Sequence, residues 1–286
     1  MFNNAESNFN ANIHRISSNG QLLTESNYLD SHYNAARTQY EEMINSVGFQ
    51  KGWSVLDAGS GSGSFIPILS KILGNDGSIH AIDLAPENID AINSLIENNK
   101  HFCNVTTKLG DIRFLPYDTN SFDAIWCANV FQYLTDEDKQ QAFTELLRVV
   151  RPGGLIAIKE LDLTASFVGP DPIIFWKIVE KLSSKIQIHS TLYTQELPKL
   201  AKQLGLEIIS CNTFLVEWHS PIKQSDFPYL NSISQSFGIS AQELELTDEE
   251  LSIMKELSNS NSINYYLKSS DFYWREAFLV IVCKKP

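Results

Sequence analysis

The sequence predicts an α/β fold in which parallel strands alternate with helices. The apolar stretch Trp53 to Leu56 leads into glycines at positions 59, 61 and 63, and an apolar helical pattern then runs to Gly74. A second apolar stretch, Ser78 to Asp83, follows and also ends in an acid. Strand, glycine turn and helix is the geometry in which backbone N–H groups and a helix N-terminus face a ligand.

Composition limits the classes of function. A chain of 286 residues with 43% hydrophobic residues suits one large α/β domain with insertions, or two small domains. The net charge of -12 disfavours a nucleic-acid substrate and an anionic membrane surface. No run approaches the ~18 apolar residues that span a bilayer. We therefore expect a soluble, cytoplasmic protein without nucleic-acid or membrane partners, and homo-oligomer formation stays open.

The cysteines and other reactive residues do not indicate a metal centre or a covalent mechanism. The four cysteines are far apart and form no C-x-x-C pair, which predicts free, mostly buried thiols in a reducing compartment and no zinc site. No metal-ligand cluster and no nucleophile elbow is recognisable in the sequence. The metal prediction is therefore none.

The glycine turn differs from the dinucleotide-binding fingerprint. Ser64 stands where that fingerprint has its third glycine, and Asp57 precedes the glycines although a carboxylate there would repel phosphates. Asp57 instead suits a ligand that carries a cation or an ammonium group. At the end of the second strand, Asp83 is placed to accept hydrogen bonds from both ribose hydroxyls of a nucleoside ligand. We expect Asp83 at the pocket rim, where its removal would disturb the core little.

Further motifs follow in order. A third strand, Val105 to Leu109, precedes Gly110-Asp111-Ile112, and a fourth follows Leu115-Pro116. Thr135 begins a capping-box pattern for the next helix. That helix ends at Arg151-Pro152-Gly153-Gly154, which leads into a fifth strand, Leu155 to Leu161.

Together, the motifs over residues 53–161 resemble those of class I S-adenosylmethionine-dependent methyltransferases, in the small-molecule branch of type 11 and quinone-biosynthesis enzymes. The resemblance implies a Rossmann-like seven-stranded sheet with an antiparallel last strand, helical lid insertions and S-adenosyl-L-methionine as cofactor. Many relatives carry a His at one or both ends of the segment that here runs from Asn129 to Tyr133. Because Asn129 and Tyr133 stand at these two positions, a role that such a His has in relatives cannot be assigned to this chain.

The resemblance also implies a set of cofactor-binding residues. Asp111 matches an acid that meets the adenine amino group, and the backbone of Ile112 matches one that meets the ring. A helix over Tyr28 to Val47 would cover the methionine end, with Tyr28 and Arg37 as contacts; packing for Tyr28 and a surface charge for Arg37 stay equally open. The remaining predicted contacts are Asp57, Gly59, Ser60, Gly61, Asp83, Leu84 and Asn129.

The domain organisation follows from these matches and from the weaker pattern beyond residue 161. We predict an N-terminal arm and helical cap (1–47), a cofactor-binding core (48–164) and an inserted lid helix (165–190). A core helix and strand (191–220), a second lid insertion with a helix capped at Thr247 (221–268) and a final core strand (269–286) follow.

The substrate site should lie beyond the carboxyl ends of the strands. Glu160, at the exit of the fifth strand, is a candidate to orient the substrate or act as base, and His189 could titrate near neutral pH. For both residues an ordinary solvated position is the competing interpretation. Other candidates are Phe131, Tyr133, Asp162, Glu217, His219, Tyr265, Tyr266 and Tyr273.

The predicted function is methyl transfer from S-adenosylmethionine to an O, N or C atom of a small, apolar or aromatic metabolite, of the quinone or natural-product type. Aromatic residues in the insertions favour such a substrate, although they also pack helices onto sheets. Two alternatives remain. One is a non-catalytic S-adenosylmethionine-binding module, and the other is an aminopropyl transferase on the same fold, for which an acidic polyamine-site signature is missing.

Overall fold

A central sheet carries the fold of the described part of the chain. The computed structural model describes residues 26–183, 194–241 and 244–286. The strands are β1 (Ser54–Ala58), β2 (Ser78–Asp83), β3 (Asn104–Leu109), β4 (Phe122–Ala128), β5 (Val150–Leu161), β6 (Phe167–Val168), β7 (Glu207–His219) and β8 (Tyr273–Lys284). They follow the order β3-β2-β1-β4-β5-β8-β6, and β7 pairs with β8.

The parallel part of the sheet confirms the predicted alternation of strands and helices. Strands β1 to β5 pair in parallel, with Asp57 opposite Trp126 and Ala128 opposite Lys159. The carboxyl ends of these strands therefore meet at one edge, where ligands bind in open α/β sheets.

The sheet has one strand more than predicted. Strand β8 runs antiparallel to both β5 and β7, as expected for the last strand. The described residues contain eight strands rather than seven, because Phe167 and Val168 pair with Arg275 and Trp274 where β8 extends past the end of β5. This two-residue strand lies within the first predicted insertion, which pairs with the core sheet at this point.

Nine helices surround the sheet in the described residues. They are α1 (Ser26–Ala35), α2 (Arg37–Asn45), α3 (Ile66–Leu73), α4 (Pro86–Asn98), α5 (Asp136–Val149), α6 (Pro172–Ser183), α7 (Leu197–Gln203), α8 (Phe227–Ala241) and α9 (Asp248–Ser258). Thr135 caps α5 and Thr247 caps α9, the latter with the full reciprocal capping box through Glu250.

Two helix predictions need correction. The segment from Tyr28 to Val47 forms two helices because the backbone leaves the helical conformation at Ala36, with φ -112° and ψ 13°. The core helix predicted within residues 191–220 starts as a 3-10 turn over Thr194–Glu196, and α7 proper begins at Leu197 with Pro198 in its first turn. Proline lacks an N–H, so it suits a first turn and not a helix interior.

Two apolar layers cover the sheet. Helices α5 and α7 pack on one face. The other face carries a larger cluster to which α1 to α4, α6, α8 and α9 contribute, with Tyr40, Trp126 and Phe278 at its centre. Tyr229 and Leu230 of α8 are part of this cluster, so the predicted lid insertion 221–268 is also part of the core.

Three of the four cysteines are buried, and Cys211 is exposed.

In the part of the chain described here, no helix combines the length and the apolar character needed to cross a bilayer. The division into domains stays a prediction.

Candidate cofactor and active site

The glycine turn brings backbone N–H groups close to neighbouring chain segments. Gly59 and Gly61 have φ values of 74° and 53°, which side chains with a Cβ rarely adopt. The N–H groups of Gly59 and Ser60 donate to the carbonyl of Ile82, at 2.8 and 3.0 Å. A Cβ on Gly59 would lie 2.3 Å from the Val130 side chain, so only glycine fits there.

Helix α1 closes over the turn from the other side. A Cβ on Gly61 would lie 2.8 Å from Leu29. The hydroxyls of Ser62 and Ser64 both donate to Asp30, at 2.6 and 3.1 Å. Helix α1, which lies within the predicted helical cap, therefore packs against the glycine turn. Tyr28 is buried in this helix, with its ring beside His32 and Tyr229.

Asp57 is buried and has an unpaired carboxylate oxygen. Its side chain is 2% exposed and its Oδ2 has no hydrogen-bond partner among the described residues. Burial raises the pKa of Asp57 to about 7, and the charge of Asp83 acts in the same direction. On the neighbouring strand β4, Trp126 Nε1 is a buried donor that also lacks a partner in the described part of the chain. Unpaired buried polar groups are costly, so both atoms suit a polar ligand at this edge of the sheet.

Asp83 holds the glycine turn and the start of α4 together, which corrects the expectation that it lies at an open rim. It is 7% exposed. Its Oδ2 accepts from the Gly61 N–H at 2.8 Å, and its Oδ1 accepts from Ala85 N–H and Asn88 Nδ2 at 2.9 and 3.0 Å. Three of the roughly four acceptor positions of a carboxylate are therefore in use. The fourth acceptor position, on Oδ2, has no hydrogen bond among the described residues.

The predicted adenine contacts lie after β3. Asp111 pairs with Arg113 at 2.6 Å, and the hydrogen bonds from Arg113 lower the pKa of Asp111 against the effect of desolvation, which raises it. Ile112 is buried and Leu84 is exposed. The exposed Leu84 directly follows Asp83 and offers an apolar surface.

Asn129 and Glu160 shape the carboxyl end of β4. Asn129 has a left-handed φ of 58°, its N–H donates to the Lys159 carbonyl, and its side-chain oxygen accepts from Lys159 Nζ at 2.9 Å. The Glu160 carboxylate accepts from the N–H groups of Val130 and Phe131 at 2.8 Å and from that of Gln132 at 3.2 Å. Burial raises the pKa of Glu160 to about 7. Glu160 thus orders the loop that packs on Gly59.

Two predicted residues are not brought to the site by any described contact. The Arg37 side chain is 60% exposed, where it pairs with Glu41 at 3.7 Å and lies over the Tyr33 ring. His189 lies outside the described residues.

The structure also adds residues that the sequence reasoning missed. Lys159, Glu276, His32 and Tyr229 form a buried polar group with Tyr40 on the same sheet face as Asp57. A signal existed for two of them, because Lys159 directly follows the apolar run Leu155 to Ile158 and Glu276 directly precedes the apolar run Ala277 to Cys283.

Comparison with known proteins agrees with this geometry. The methyltransferase domain family matches residues 55–154, which span β1 to the start of β5. Residues 55–154 therefore form a class I S-adenosylmethionine-dependent methyltransferase domain. The ubiquinone/menaquinone biosynthesis C-methyltransferase UbiE of Idiomarina loihiensis is 30% identical over 123 residues, which is 43% of this chain and 48% of that protein.

Other similar proteins share the domain or the fold. An arsenite methyltransferase of Halobacterium salinarum is 35% identical over 122 residues, 43% of this chain and 30% of that protein. The crystal structure of geranyl diphosphate C-methyltransferase from Streptomyces coelicolor A3(2) has a TM-score of 0.51 at 15% sequence identity, and the match covers 87% of this chain and 79% of that chain. The matched regions span between 30% and 52% of the length of the first curated relatives.

S-Adenosylmethionine is the cofactor of this family, and the residues of the methyltransferase domain fit it. The orphaned buried oxygen of Asp57 suits the ammonium group of the methionine moiety, and the missing Cβ atoms of Gly59 and Gly61 allow a close approach of a ligand to the backbone.

Proposed function

We propose that this protein transfers a methyl group from S-adenosylmethionine to an O, N or C atom of a small, apolar or aromatic metabolite. The observation that carries the proposal is the buried, unpaired Asp57 carboxylate beside the glycine turn of a methyltransferase domain. An uncompensated buried carboxylate destabilises the free protein, which is expected where a cationic ligand supplies the missing partner.

In this proposal, different residues hold the methionine moiety, the ribose and the adenine ring of the cofactor. Asp57 receives the ammonium group, and the glycine turn with Ser60 contacts the methionine moiety under α1 with Tyr28. The free position on Asp83 accepts one ribose hydroxyl. The adenine ring lies between Leu84 and Ile112, near Asp111. Asn129 closes the site toward β5.

The chain itself would align the reactants and exclude water. When bound, S-adenosylmethionine supplies an electrophilic methyl group. The acceptor then needs positioning in line with that group, and positioning is the larger part of such catalysis. The rings of Tyr40 and Phe278 lie against Lys159 and form an aromatic surface at the carboxyl end of β5. This surface, and the quinone-biosynthesis enzymes among the relatives, favour an apolar or aromatic acceptor.

The test uses methyl-labelled S-adenosylmethionine with a panel of phenols, quinols and amines and with a metabolite extract. We expect one labelled product class together with an equal amount of S-adenosylhomocysteine. Calorimetric binding of S-adenosylmethionine without turnover on any acceptor would indicate a non-catalytic module instead. Release of methylthioadenosine from decarboxylated S-adenosylmethionine would indicate aminopropyl transfer. Tight binding of NAD without binding of S-adenosylmethionine would contradict the cofactor site itself.

A further inference from the structure

A fully buried lysine lies at the carboxyl end of β5. Lys159 has 0% exposure, and its Nζ donates to the Asn129 side chain at 2.9 Å and to the Tyr40 hydroxyl at 3.1 Å. The same nitrogen lies 3.7 Å from the ring centroid of Phe278 and 4.2 Å from that of Tyr40. No carboxylate in the described residues forms a salt bridge with it. An amine in such surroundings is costly to keep charged.

Tyr40 connects this lysine to a histidine. The Tyr40 hydroxyl oxygen accepts from Lys159 and also lies 2.7 Å from His32 Nε2, a hydrogen bond in which the histidine tautomer decides the donor. The His32 ring stacks on Tyr229 with 4.5 Å between ring centroids. Glu276 accepts from the Tyr229 hydroxyl at 2.6 Å and lies 3.6 Å from His32 Nε2. We call Lys159, Tyr40, His32 and Glu276 the lysine relay.

The relay lies next to the cofactor site. Lys159 pairs with Ala128 on β4, and β4 in turn pairs with β1, where the glycine turn begins. Neighbouring strands lie about 4.8 Å apart, so the Lys159 backbone is on the order of 10 Å from the turn. The alternation of side chains places Lys159 on the same sheet face as Trp126 and Asp57. That face is the one covered by α1 and α2.

Burial and neighbouring charges shift the pKa values of the relay residues. Burial lowers the pKa of Lys159 to about 7, against the attraction of Glu160 and Glu276. Burial also lowers the pKa of His32 and keeps that of Tyr40 well above its usual value. The titratable groups around Lys159 and the rest of the relay are Glu160 on the same strand, Tyr28 and His32 on α1, Tyr40 on α2, Tyr229 on α8 and Glu276 on β8.

We propose that Lys159 removes the proton from the methyl acceptor, and that the acceptor atom belongs to the weakly acidic hydroxyl of a phenol or an enol. The inference rests on the proposed function and assigns its base and substrate class. The acceptor O–H bond breaks and a new N–H bond forms on the neutral Lys159 amine. The electron pair left on the acceptor forms the bond to the methyl carbon, while the pair of the breaking carbon–sulfur bond stays on sulfur. The proton then leaves through Tyr40 to His32, beside Glu276.

The substrate class follows from the same contacts. A base is most effective when its pKa lies near the working pH. The pKa of such an amine is close to the pKa values of phenols and enols and far below those of alcohols, so it can take a proton from the former and not from the latter. The anion formed is attracted by the new ammonium group, and the Phe278 and Tyr40 rings offer aromatic surface. A protonated amine as acceptor would instead bring a second cation next to Lys159, which is unfavourable at low dielectric.

The first test needs no acceptor. Lysine labelled with ¹³C at Cε is titrated by NMR in complexes with S-adenosylmethionine and with S-adenosylhomocysteine, and Lys159→Met assigns the signal. The sulfonium of the former is a cation and the thioether of the latter is not. We therefore expect a lower pKa of Lys159 in the S-adenosylmethionine complex. Equal pKa values in two complexes that calorimetry shows to be saturated would overturn the inference while leaving the proposed function intact.

The second test varies the acidity of the acceptor. Lys159→Met should lower kcat by about 10²–10⁴ with a phenol that is un-ionised at the assay pH. With a nitrophenol that is already ionised, the same variant should lose little, and S-adenosylhomocysteine should bind it as tightly as the parent. An equal loss on both phenols would show a packing role and overturn the assignment, as would a labelled product formed only from amines.

The matched control is Lys285→Met. Lys285 donates to Asn120 and to the carbonyls of Leu147 and Val150, at the opposite edge of the sheet, so its loss tests the removal of a hydrogen-bonded lysine as such. We expect no dependence of its kcat on phenol acidity. Should Lys159→Met fail to fold, Tyr40→Phe removes only the relay hydroxyl and must show the same selective loss on the un-ionised phenol. If calorimetry finds binding of neither S-adenosyl ligand, the proposed function fails and the inference fails with it.

Discussion

At the scale of single residues, the site is defined by ionisable groups that are buried without full compensation. Asp57, Lys159 and Glu160 are each at most 2% exposed, and burial moves the pKa of each to about 7. Core positions of this kind normally hold apolar residues. Strongly perturbed ionisable groups concentrated at one end of a sheet are typical of functional sites.

Asp57→Asn should stabilise the free protein and weaken cofactor binding. One pKa unit corresponds to about 1.4 kcal/mol, so a pKa raised from 3.8 to about 7 means that the ionised carboxylate costs on the order of 4 kcal/mol. We expect a higher Tm at pH 8 without ligand and a smaller Tm increase on adding S-adenosylmethionine. Asp76→Asn, at an exposed turn, is the control. An unchanged Tm with unchanged ligand binding would contradict the role of Asp57.

Asp83→Ala should lower both stability and cofactor affinity. The variant leaves the N–H groups of Gly61 and Ala85 and the Asn88 amide without their carboxylate acceptor, which should cost about 2–4 kcal/mol of unfolding free energy. Chemical denaturation with and without S-adenosylhomocysteine measures both effects. Asp90→Ala, exposed on the same helix α4, should change neither. A fully stable Asp83→Ala protein would argue against these hydrogen bonds.

At the scale of elements, the glycine turn is positioned by what packs on it. The Asn129–Val130 segment contacts Gly59, and Glu160 in turn fixes this segment from β5. Helix α1 covers Gly61 with Leu29. The turn is thus held between the cap and the end of β4, and a change in either should reach the cofactor.

Gly59→Ala should be far more damaging than Gly52→Ala. Both glycines have positive φ, 74° and 79°, so each alanine pays the left-handed backbone penalty of about 1–2 kcal/mol. Only at Gly59 does the new Cβ meet a side chain, at 2.3 Å, whereas at Gly52 nothing lies within 4 Å. The clash should add about 1–3 kcal/mol and displace Val130. Thermal unfolding and S-adenosylmethionine calorimetry on the two variants would test this, and equal behaviour would show that the close contact is unimportant.

At the scale of the whole molecule, charges of both signs lie on one face of the sheet beneath α1, α2 and α8. In the order of the sheet, the charged side chains on this face are Asp83 on β2, Asp57 on β1, Lys159 on β5 and Glu276 on β8. The arrangement makes the stability of the free protein depend on pH through a few groups.

The contribution of these groups to stability should have a minimum near pH 7. The folded protein binds protons more tightly than the unfolded chain at Asp57 and Glu160, so their contribution falls as the pH rises from about 4 to 7. At Lys159 the folded protein binds a proton more weakly than the unfolded chain does. The contribution of Lys159 to stability therefore rises with pH from about pH 7 to 10.5. Tm measured from pH 4 to 10 should show that Asp57→Asn flattens the first limb and Lys159→Met the second. Parallel curves for parent and variants would contradict these pKa shifts.

The sequence by itself determined the alternation of the main strands and helices, the glycine turn, the acids at the ends of β1, β2 and β3, and the family that these motifs resemble. These features are local: periodicity, turn residues and caps are written in neighbouring positions. Thr247 is one example, because its capping box needs only Glu250 three residues later.

The tertiary structure alone decided which polar groups meet. Lys159, Tyr40, His32, Tyr229 and Glu276 come from five elements, and sheet pairing and helix packing bring them together although they are far apart in the chain. It also showed that Asp83 is a buried anchor, because the N–H groups of Gly61 and Ala85 converge on it only when the turn and α4 are folded. Local patterns report which face of an element is apolar. They do not report which side chain from another element will complete a hydrogen bond.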